Sequence, residues 1–353
     1  MTKKLLQQLK IEQPEEEIKR QVKKNWDGIA KPLDSLGKFE ELTAQIGAIH
    51  GTSQLDIGKK GVIVMCADNG IVAEGVSQSG QEVTAAVAAS MGKNQSSVGK
   101  MAKCIGAEVF PVDIGINGKE KIPGVFDKKV ASGTRNFLKE PAMTEEETLK
   151  AVEVGMDMVR FCKEKGYKLL ATGEMGIGNT TTSSAVAAAL TGCSVEDITG
   201  RGAGLSDEGL RRKRQVIREA LKKYEFRREE TLRILSAVGG LDIAGLAGVF
   251  IGGAVYHIPI VLDGVISAVA ALAAERLKPG VREYMIPSHR SKEPAANLIL
   301  QELKLSPVID ASLALGEGTG AVMMFALLDM ALKLYGEKTT FSDISIEQYV
   351  RFK

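Results

Sequence analysis

Two acidic side chains stand in glycine-rich segments whose composition could support chemistry. Glu174 belongs to GEMGIGNTTTSSA, residues 173–185, and Glu317 belongs to LALGEGTGA, residues 313–321. Glycines beside a carboxylate let a ligand approach closely, so the carboxylate can accept a proton or stabilise a developing positive charge. The alternative for Glu317 is a carboxylate at a helix N-terminus, where the helix dipole stabilises it.

The segment around Glu174 also predicts an anion site. Gly176 and Gly178 permit a tight turn that exposes backbone N–H groups, and Asn179 and Thr180 add hydrogen-bonding side chains before an alanine-rich helical run. A glycine-rich turn that leads into a helix N-terminus favours negative charge. It is not a P-loop, because no Gly-Lys-Ser/Thr follows, so ATP is not indicated. The alternative is an ordinary helix start with threonine as the N-cap.

Two further polar loops are candidates for ligand contact. PSHRSKEP, residues 287–294, is cationic. GRGAGLSDEGLRRK, residues 200–213, places Lys213 in the first turns of a helix that begins after Ser206. Considered alone, Lys213 is interpreted as a solvated surface lysine. Each of these signals is weak individually, but the four segments together, in this order, are specific.

The elements that must position these loops alternate regularly. Short apolar runs, each followed by an acid and a glycine, are separated by helical stretches. This alternation predicts an α/β fold with a Rossmann-like, mostly parallel sheet and helices on both faces. Ligands in such folds bind at the carboxyl ends of the strands, where the acid–glycine pairs should lie. The apolar runs are residues 59–70, 107–116, 167–178 and 258–265, and the helical stretches are residues 80–106, 143–166, 206–224 and 319–353 with its short tail.

The two ends of the chain share an amphipathic helical texture. We predict that residues 1–55 form an N-terminal helical segment that packs with residues 330–353 as a small helical subdomain. Residues 56–329 then form the α/β domain that carries the candidate site.

Charge and composition argue against several kinds of partner. Among 353 residues, 46 lysines and arginines nearly balance 44 aspartates and glutamates, which leaves a formal net charge of +2. Neither nucleic acid nor an anionic membrane is therefore expected as a partner. Four widely spaced cysteines and three histidines argue against a metal site, and no cofactor is expected. No secretory signal is recognised, so we expect a cytoplasmic protein.

The most apolar region is residues 238–264. Two aspartates, a histidine and a proline interrupt it, which favours a buried core segment over a transmembrane helix. Its glycine-rich part, residues 244–256, either packs inside the protein or contributes to an interface between two copies.

From residue 31 to about residue 341, the chain resembles the nicotinate-nucleotide:dimethylbenzimidazole phosphoribosyltransferase family, which activates the lower ligand of cobalamin. Matching stretches occur in the same order over nearly the whole chain. They are KPLDSLGKFEEL (31–42), CADNGIVAEGVS (66–77), QEVT (81–84), VDIGI (112–116), GTRNFLKEPAMT (133–144), GEMGIGNTT (173–181), GRGAGLSDEGLRRK (200–213), VGGLDIAGLAG (238–248), PIVLDG (259–264), SHRSKEP (288–294) and LGEGTGA (315–321).

The resemblance implies a reaction, a set of site residues and a homodimer. The phosphoribosyl group of nicotinate mononucleotide is transferred to 5,6-dimethylbenzimidazole or a related base, which gives the α-ribotide and nicotinate for assembly of the cobalamin nucleotide loop. Glu317 matches the family's general base, and Glu174 matches a catalytic position near the ribose. Mononucleotide contacts are implied for Gly176, Gly178, Asn179, Thr180, Gly202, Lys213, Asp263, Gly264 and Ser291.

The implied base pocket is where this sequence departs from the family. Its residues are Ser79, Gly80, Val87 and Leu315. Gly80 replaces a frequent proline, Val87 replaces a polar side chain of some relatives, and Asn69 replaces a frequent histidine nearby. We therefore expect a flat apolar slot, and the acceptor stays open among benzimidazoles, purines and phenols.

Two other functions are weighed against this one. A non-catalytic nucleotide-binding or sensor protein on the same scaffold would lack the general base, yet Glu317 is retained at that position. An NAD-dependent oxidoreductase would need a GxGxxG turn after the first strand, and MCADNGIVAEG does not provide one.

Overall fold

A six-stranded parallel sheet forms the centre of the protein. The structure is a computed structural model that describes residues 1–351, and it orders the strands β3-β2-β1-β4-β5-β6. Two further strands, β7 and β8, pair in parallel outside this sheet. The strands are β1 Lys60–Ala67, β2 Glu108–Gly115, β3 Phe126–Asp127, β4 Leu169–Met175, β5 Ile260–Leu262, β6 Met285–Pro287, β7 His289–Ser291 and β8 Ile309–Leu313.

Helices cover both faces of the sheet, as the alternating pattern predicts. Residues 149–162, 185–190 and 241–254 pack in the core on one face, whereas residues 88–102 and 321–328 pack in the core on the other. The α-helices are α1 Lys3–Gln8, α2 Glu16–Asp27, α3 Lys38–His50, α4 Glu82–Gly92, α5 Ser97–Cys104, α6 Glu145–Glu164, α7 Asn179–Thr191, α8 Val195–Ile198, α9 Asp207–Tyr224, α10 Thr231–Val238, α11 Leu241–Val255, α12 Val265–Leu277, α13 Ala295–Glu302 and α14 Thr319–Gly336. Three short 3-10 helices are Gly70–Glu74, Val281–Tyr284 and Ser342–Ile344.

The central strand β1 shows why the sheet is buried on both sides. All eight of its residues are buried. Ile63 and Met65 enter one core, and Val62 and Val64 enter the other, because successive side chains of a strand point to opposite faces. The strand order reverses between β1 and β4, so the loops after these strands diverge and leave a crevice at their carboxyl ends. The predicted α/β class is confirmed.

The glycine-rich segment 244–256 lies inside the protein. It belongs to α11, which is buried from Leu241 to Ala254 and packs closely against α6. A Cβ on Gly155 of α6 would lie 2.0 Å from the backbone oxygen of Gly245, and a Cβ on Gly248 would lie 2.0 Å from that of Val152. The glycines therefore permit close helix contact, and the interpretation as internal packing is confirmed.

Residues 80–106, predicted as one helical stretch, form two helices. The chain breaks between α4 and α5, where Asn94 has a left-handed φ of 54°. Ser96 then restarts the helix as its N-cap, because its side chain accepts a hydrogen bond from the backbone N–H of Gly99 at 3.2 Å. The break creates an additional helix N-terminus, that of α5, on the sheet face covered by α14.

Residues from the two chain ends meet in a small apolar cluster. Trp26 of α2 contacts Tyr335 of α14, with ring centroids 5.1 Å apart. Near the C-terminus, Arg351 forms ion pairs with Asp27 and Asp34 at 2.7 Å. Leu6 of α1, in contrast, is buried in the main core. The division at residue 55 stays a proposal.

Within residues 1–351, α14 is the one helix whose length and apolar composition would suit a membrane span. Half of this helix is buried inside the protein. Its inner face packs in the core beside β1, which accounts for its apolar composition without a membrane.

Candidate active site

The glycine-rich turn after β4 lies at the crevice between β1 and β4. Gly176 is in close contact with the end of β1, since a Cβ there would lie 2.4 Å from the backbone oxygen of Ala67. Gly178 has a left-handed φ of 92° and is the N-cap of α7, which no side chain caps. The alternative interpretation with a threonine N-cap is therefore wrong. The turn presents an uncapped helix N-terminus to the crevice, as an anion site requires.

Glu174 is held beside this turn by a buried amide. The side-chain N–H of Asn179 donates a hydrogen bond to Oε2 of Glu174. Burial, reinforced by the nearby charge of Asp242, raises the pKa of Glu174 to about 8. Glu174 is consequently mostly protonated at neutral pH when the site is empty. A positive charge bound beside it would favour its ionised form.

Glu317 lies in a loop with an unusual backbone. Gly316, Glu317 and Gly318 have successive φ values of 88°, 61° and 96°. Oε2 of Glu317 accepts a hydrogen bond of 3.0 Å from the backbone N–H of Val98, in the first turn of α5. The carboxylate is thus bound to the N-terminus of a different helix from the one that follows it in the sequence.

The loops of Glu174 and Glu317 are packed against each other. A Cβ on Gly173 would lie 2.4 Å from the backbone oxygen of Glu317, so only glycine allows this approach. A Cβ on Gly316 would lie 2.6 Å from Oε1 of Glu174. Two segments that are far apart in the sequence therefore place two carboxyl groups at one cavity.

Asp263 fixes the loop that carries Glu317. Its carboxylate accepts three hydrogen bonds from backbone N–H groups: Gly318 at 3.1 Å, Gly320 at 2.9 Å and Ala321 at 3.2 Å. Burial raises the pKa of Asp263 to about 6, although these bonds oppose the shift. Asp263 follows β5 directly and so ties the start of α14 to the sheet.

Lys213 is fully buried, so its interpretation as a solvated surface lysine is wrong. Its ammonium donates hydrogen bonds to Oγ1 of Thr180 at 2.9 Å and to the backbone oxygen of Gly200 at 3.2 Å. Burial lowers the pKa of Lys213 to about 8, and the charge of Glu293 opposes that shift. The cation therefore stands directly behind Thr180 in the turn. Gly202 lies against Thr180 and donates its N–H to Glu293 at 3.0 Å.

A cavity of about 240 Å³ brings most of the predicted residues together. Gly178 lies just outside its wall, and Lys213 lies behind the wall. His289, Glu293, Met175 and Thr319 also line it, although the sequence did not single them out. Predicted residues in the wall are Glu174, Gly176, Asn179, Thr180, Gly202, Asp263, Gly264, Ser291, Leu315 and Glu317.

Only one of the four residues predicted to bind the acceptor base lines the cavity. Leu315 lines the cavity with 59% of its surface exposed, whereas Ser79, Gly80 and Val87 do not line it. Val87 is on α4 and packs against the same apolar cluster as Met175 of the cavity wall. A Cβ on Gly80 would lie 2.2 Å from the carboxylate of Glu82, so an acid fills the space beside that glycine.

Asn69 is buried beneath the glycine-rich turn. Its side-chain amide N–H donates a hydrogen bond of 3.4 Å to the backbone oxygen of Ile177, and its side-chain oxygen has no partner among residues 1–351. Asn69 supports the turn from below and does not line the cavity.

A larger cavity of about 720 Å³ lies elsewhere, between α1, α10, α12 and residues 135–145. None of the predicted site residues lines it. Three arginines in its wall form ion pairs within the protein, with Glu147, Glu230 and Glu302. The smaller cavity is therefore the candidate active site, because it holds the carboxyl groups and the helix N-terminus.

Comparisons with known proteins identify similar chains of one family. A family model described as phosphoribosyltransferase matches residues 11–346. The nicotinate-nucleotide–dimethylbenzimidazole phosphoribosyltransferase of Clostridium acetobutylicum is 45% identical over 336 residues, which cover 95% of this chain and 96% of that protein. The enzyme of the same name from Acetivibrio thermocellus is 44% identical, with 93% of each chain covered. The crystal structure of CobT from Thermus thermophilus has a TM-score of 0.89 at 36% identity and covers 94% of this chain and 100% of that one.

The hydrogen bonds of Asp263 lead to a prediction about the loop of Glu317. In Asp263→Asn, one carboxylate oxygen becomes an amide NH₂ that cannot accept from the loop N–H groups. Hydrogen exchange measured by mass spectrometry should be about tenfold or more faster in residues 313–322, since an unmatched buried group costs about 1–3 kcal/mol. The matched control is Asp310→Asn, because Asp310 is largely exposed. Unchanged exchange in Asp263→Asn would contradict the assigned anchoring role.

Proposed function

Because the chain belongs to the phosphoribosyltransferase family that its residues 11–346 match, we propose that it transfers the phosphoribosyl group of nicotinate mononucleotide to 5,6-dimethylbenzimidazole or a related base. The products are nicotinate and the α-ribotide, which serves assembly of the cobalamin nucleotide loop. Relatives at 44–45% identity carry this activity in their names. The observation that carries the proposal is the meeting of Glu174 and Glu317 at one cavity beside an uncapped helix N-terminus.

The phosphate of the mononucleotide occupies the turn at the start of α7. Backbone N–H groups and the helix dipole favour a dianion there. Thr180 offers its hydroxyl, and the ammonium of Lys213 stands 2.9 Å behind that hydroxyl. This position leaves the ribose in the same cavity, where Gly264 and Ser291 also line the wall.

The reaction is an inverting substitution at C1′ of the ribose. A lone pair on a ring nitrogen of the base forms the new bond to C1′, while the bond from C1′ to the pyridinium nitrogen breaks. Its electron pair returns to the pyridine ring, so nicotinate leaves without the ring charge. The base then carries one proton in excess, and Glu317 accepts that N–H proton. Attack opposite the leaving group converts the β linkage to the α linkage.

Glu174 acts on the positive charge that develops at C1′. Its pKa of about 8 keeps it mostly neutral in the empty site, where it lies close to Asp242. The cationic pyridinium and the oxocarbenium-like transition state both favour its carboxylate form. Glu174 therefore becomes negatively charged when the substrate is bound, and this charge stabilises the positive charge at C1′.

The catalytic proposal is favoured over a non-catalytic sensor by the environment of Glu317. A sensor would not need an ordered general base. Here, however, three backbone hydrogen bonds to Asp263 hold the loop of Glu317, and one from Val98 holds its carboxylate. An oxidoreductase is disfavoured because the turn after β1 lacks the glycines that bind a dinucleotide.

We also place the protein in the cytoplasm. Its four cysteines are unpaired, and Cys66 and Cys162 are buried, as is usual for proteins of a reducing compartment. The substrates are small molecules, and nothing in the charge of the chain favours nucleic acid or a membrane as a partner.

The role of Glu317 is tested by Glu317→Gln, which retains an oxygen to accept from Val98. Turnover of nicotinate mononucleotide and dimethylbenzimidazole, followed by mass spectrometry of the ribotide, should fall by about 10²–10⁴, the usual cost of losing a general base. Mononucleotide affinity should stay within about threefold, because the phosphate site is intact. Glu337→Gln, at an exposed position of an ion pair, is the matched control. Near-normal turnover in Glu317→Gln would remove the proposed role.

The acceptor site is proposed to be an apolar slot at Leu315 and Met175 in the cavity wall. Val87 packs against the same apolar cluster as Met175, whereas Ser79 and Gly80 do not line the cavity. Such a slot selects acceptors by planarity and apolar area. Each buried methyl contributes about 0.8 kcal/mol, or roughly a fourfold preference, so kcat/KM should favour dimethylbenzimidazole over benzimidazole only modestly. The same kcat/KM measurement is made with adenine and p-cresol as acceptors. A preference above about a thousandfold between the two benzimidazoles would indicate specific polar pairing instead.

The buried ammonium of Lys213 predicts the pH dependence of mononucleotide binding. Its pKa of about 8 in the empty site means that the charge is present below pH 8 and lost above it. Calorimetric affinity for nicotinate mononucleotide should therefore weaken as pH rises through 8 relative to that of Lys213→Met, in which only the ionisation of Glu174, which favours the pyridinium, changes over this range. Lys213→Met should weaken affinity by about ten- to a hundredfold at pH 7 and remove this fall with pH.

The control for Lys213 is Lys222→Ala on the exposed face of the same helix. It should leave both the affinity and its pH dependence unchanged. Equal affinities in Lys213→Met and the wild type would place the phosphate elsewhere.

We further propose a homodimer that uses the outer face of α14 and the C-terminal tail. Met323, Met330 and Leu334 are exposed on α14, and Ile346 and Val350 are exposed in the tail. Residues seven and eleven positions apart share one face of a helix, so Met323, Met330 and Leu334 form an exposed apolar face of the kind that marks an interface. Light scattering at micromolar concentration should give about twice the chain mass of 37.8 kDa. Met330→Glu should lower that mass, and Leu5→Glu on α1 should not; a monomeric wild type would contradict the proposal.

A further inference from the structure

His289 is a buried imidazole in the wall of the active-site cavity, and the mechanism above does not use it. It begins β7 and is 5% exposed. A Cβ on Gly264 would lie 3.7 Å from Nε2 of His289 and 3.8 Å from Oγ of Ser291. Because Gly264 has no side chain, the Nε2 edge of the ring is open toward the cavity.

A chain of hydrogen bonds fixes which ring nitrogen carries the proton. The hydroxyl of Ser288 donates its hydrogen to the backbone oxygen of Leu262. Oγ of Ser288 lies 2.9 Å from Nδ1 of His289. Because the hydroxyl hydrogen of Ser288 is donated to Leu262, Oγ can only accept a hydrogen bond from Nδ1. Nδ1 therefore carries the N–H.

Nε2 is left as a hydrogen-bond acceptor. Burial lowers the pKa of His289, which keeps the ring neutral, and a neutral imidazole has a single N–H. No side chain or backbone group within residues 1–351 donates to Nε2. Nε2 faces the cavity, so a ligand that displaces solvent from it must supply a donor if the acceptor is to stay paired.

The substrates contain few groups that could donate to Nε2. The phosphate dianion, the carboxylate and the glycosylated pyridinium nitrogen of nicotinate mononucleotide carry no hydrogen to donate. The two ribose hydroxyls do carry one, and so does the incoming base, whose N–H is assigned to Glu317. Nε2 of His289 and Oγ of Ser291 both lie beside Gly264, and all three residues line the cavity in which the ribose is proposed to bind.

We propose that Nε2 of His289 accepts a hydrogen bond from a ribose hydroxyl of the mononucleotide and thereby selects ribose over deoxyribose. This inference rests on the proposed function for the identity of the ligand. The chain of hydrogen bonds from Leu262 through Ser288 to His289 then has a function, because it keeps the ring proton on Nδ1 and leaves Nε2 as an acceptor. A site built to pair with a hydroxyl rejects the analogue that lacks it, because its own polar group is then left unpaired.

The experiment compares nicotinate mononucleotide with its 2′-deoxy and 3′-deoxy analogues. The wild type should lose about ten- to a hundredfold in both kcat/KM and calorimetric affinity for one of the two analogues, which identifies the hydroxyl. In His289→Ala, affinities for that analogue and for the parent should come within about threefold of each other. His257→Ala, at a half-exposed position, is the control and should keep the wild-type ratio.

Ser288→Ala provides a second variant that leaves the imidazole in place. Without the Ser288 oxygen, Nδ1 loses its acceptor and the tautomer is no longer fixed. Discrimination against the deoxy analogue should therefore fall, but by less than in His289→Ala, because a hydroxyl can also accept from an Nε2–H. A merely structural role for His289 would lower all three affinities together and leave their ratio unchanged. This second variant also decides the matter if His289→Ala is unstable.

Three results would overturn the inference. The first is full ribose discrimination in His289→Ala or Ser288→Ala. The second is a loss of turnover in His289→Ala with unchanged affinity ratios, which would assign the imidazole to the proton of the base. The third is equal wild-type affinity for all three mononucleotides. Failure of the proposed reaction is distinguishable, because it would abolish wild-type ribotide formation and leave the affinity ratios measurable.

Discussion

The carboxylate of Asp263 is the interaction on which the active site depends. It binds three backbone N–H groups at the start of α14 and stands directly after the short strand β5. These hydrogen bonds attach the Gly316–Gly318 loop to the carboxyl edge of the sheet. Because Gly173 of β4 then packs against the backbone of Glu317, one buried acid places the second carboxyl group within reach of Glu174.

Two glutamates of the same chemistry are given different tasks by their surroundings. Burial, reinforced by the charge of Asp242, raises the pKa of Glu174 and keeps it protonated until a cation binds. Glu317 receives a backbone N–H from the first turn of α5, a position where the helix dipole favours a negative charge. Glu174 thus stabilises the positive charge of the substrate and Glu317 accepts the proton, although both line one cavity of about 240 Å³.

Much of this arrangement could be predicted from the sequence. Apolar runs that end in an acid and a glycine predicted the strands, and the glycines after Glu174 predicted the turn at the helix N-terminus. The break at Asn94 was missed because a left-handed residue inside a helical pattern gives no periodic signal. Burial of Lys213 was missed because it depends on contacts with Thr180 and Gly200, which are distant in sequence. His289 was not singled out, since only the fold shows that Ser288 fixes its proton.

The left-handed conformation of Glu317 has a consequence for the evolution and engineering of the chain. A residue with a side chain at φ 61° costs about 1 kcal/mol relative to a glycine at the same place. The backbone of the loop would be more relaxed with Gly-Gly-Gly than with Gly-Glu-Gly, and the hydrogen bond from Val98 to the carboxylate of Glu317 offsets this strain. Selection for thermostability alone would therefore favour this glutamate only weakly, and the demand for turnover supplies the stronger constraint on the position.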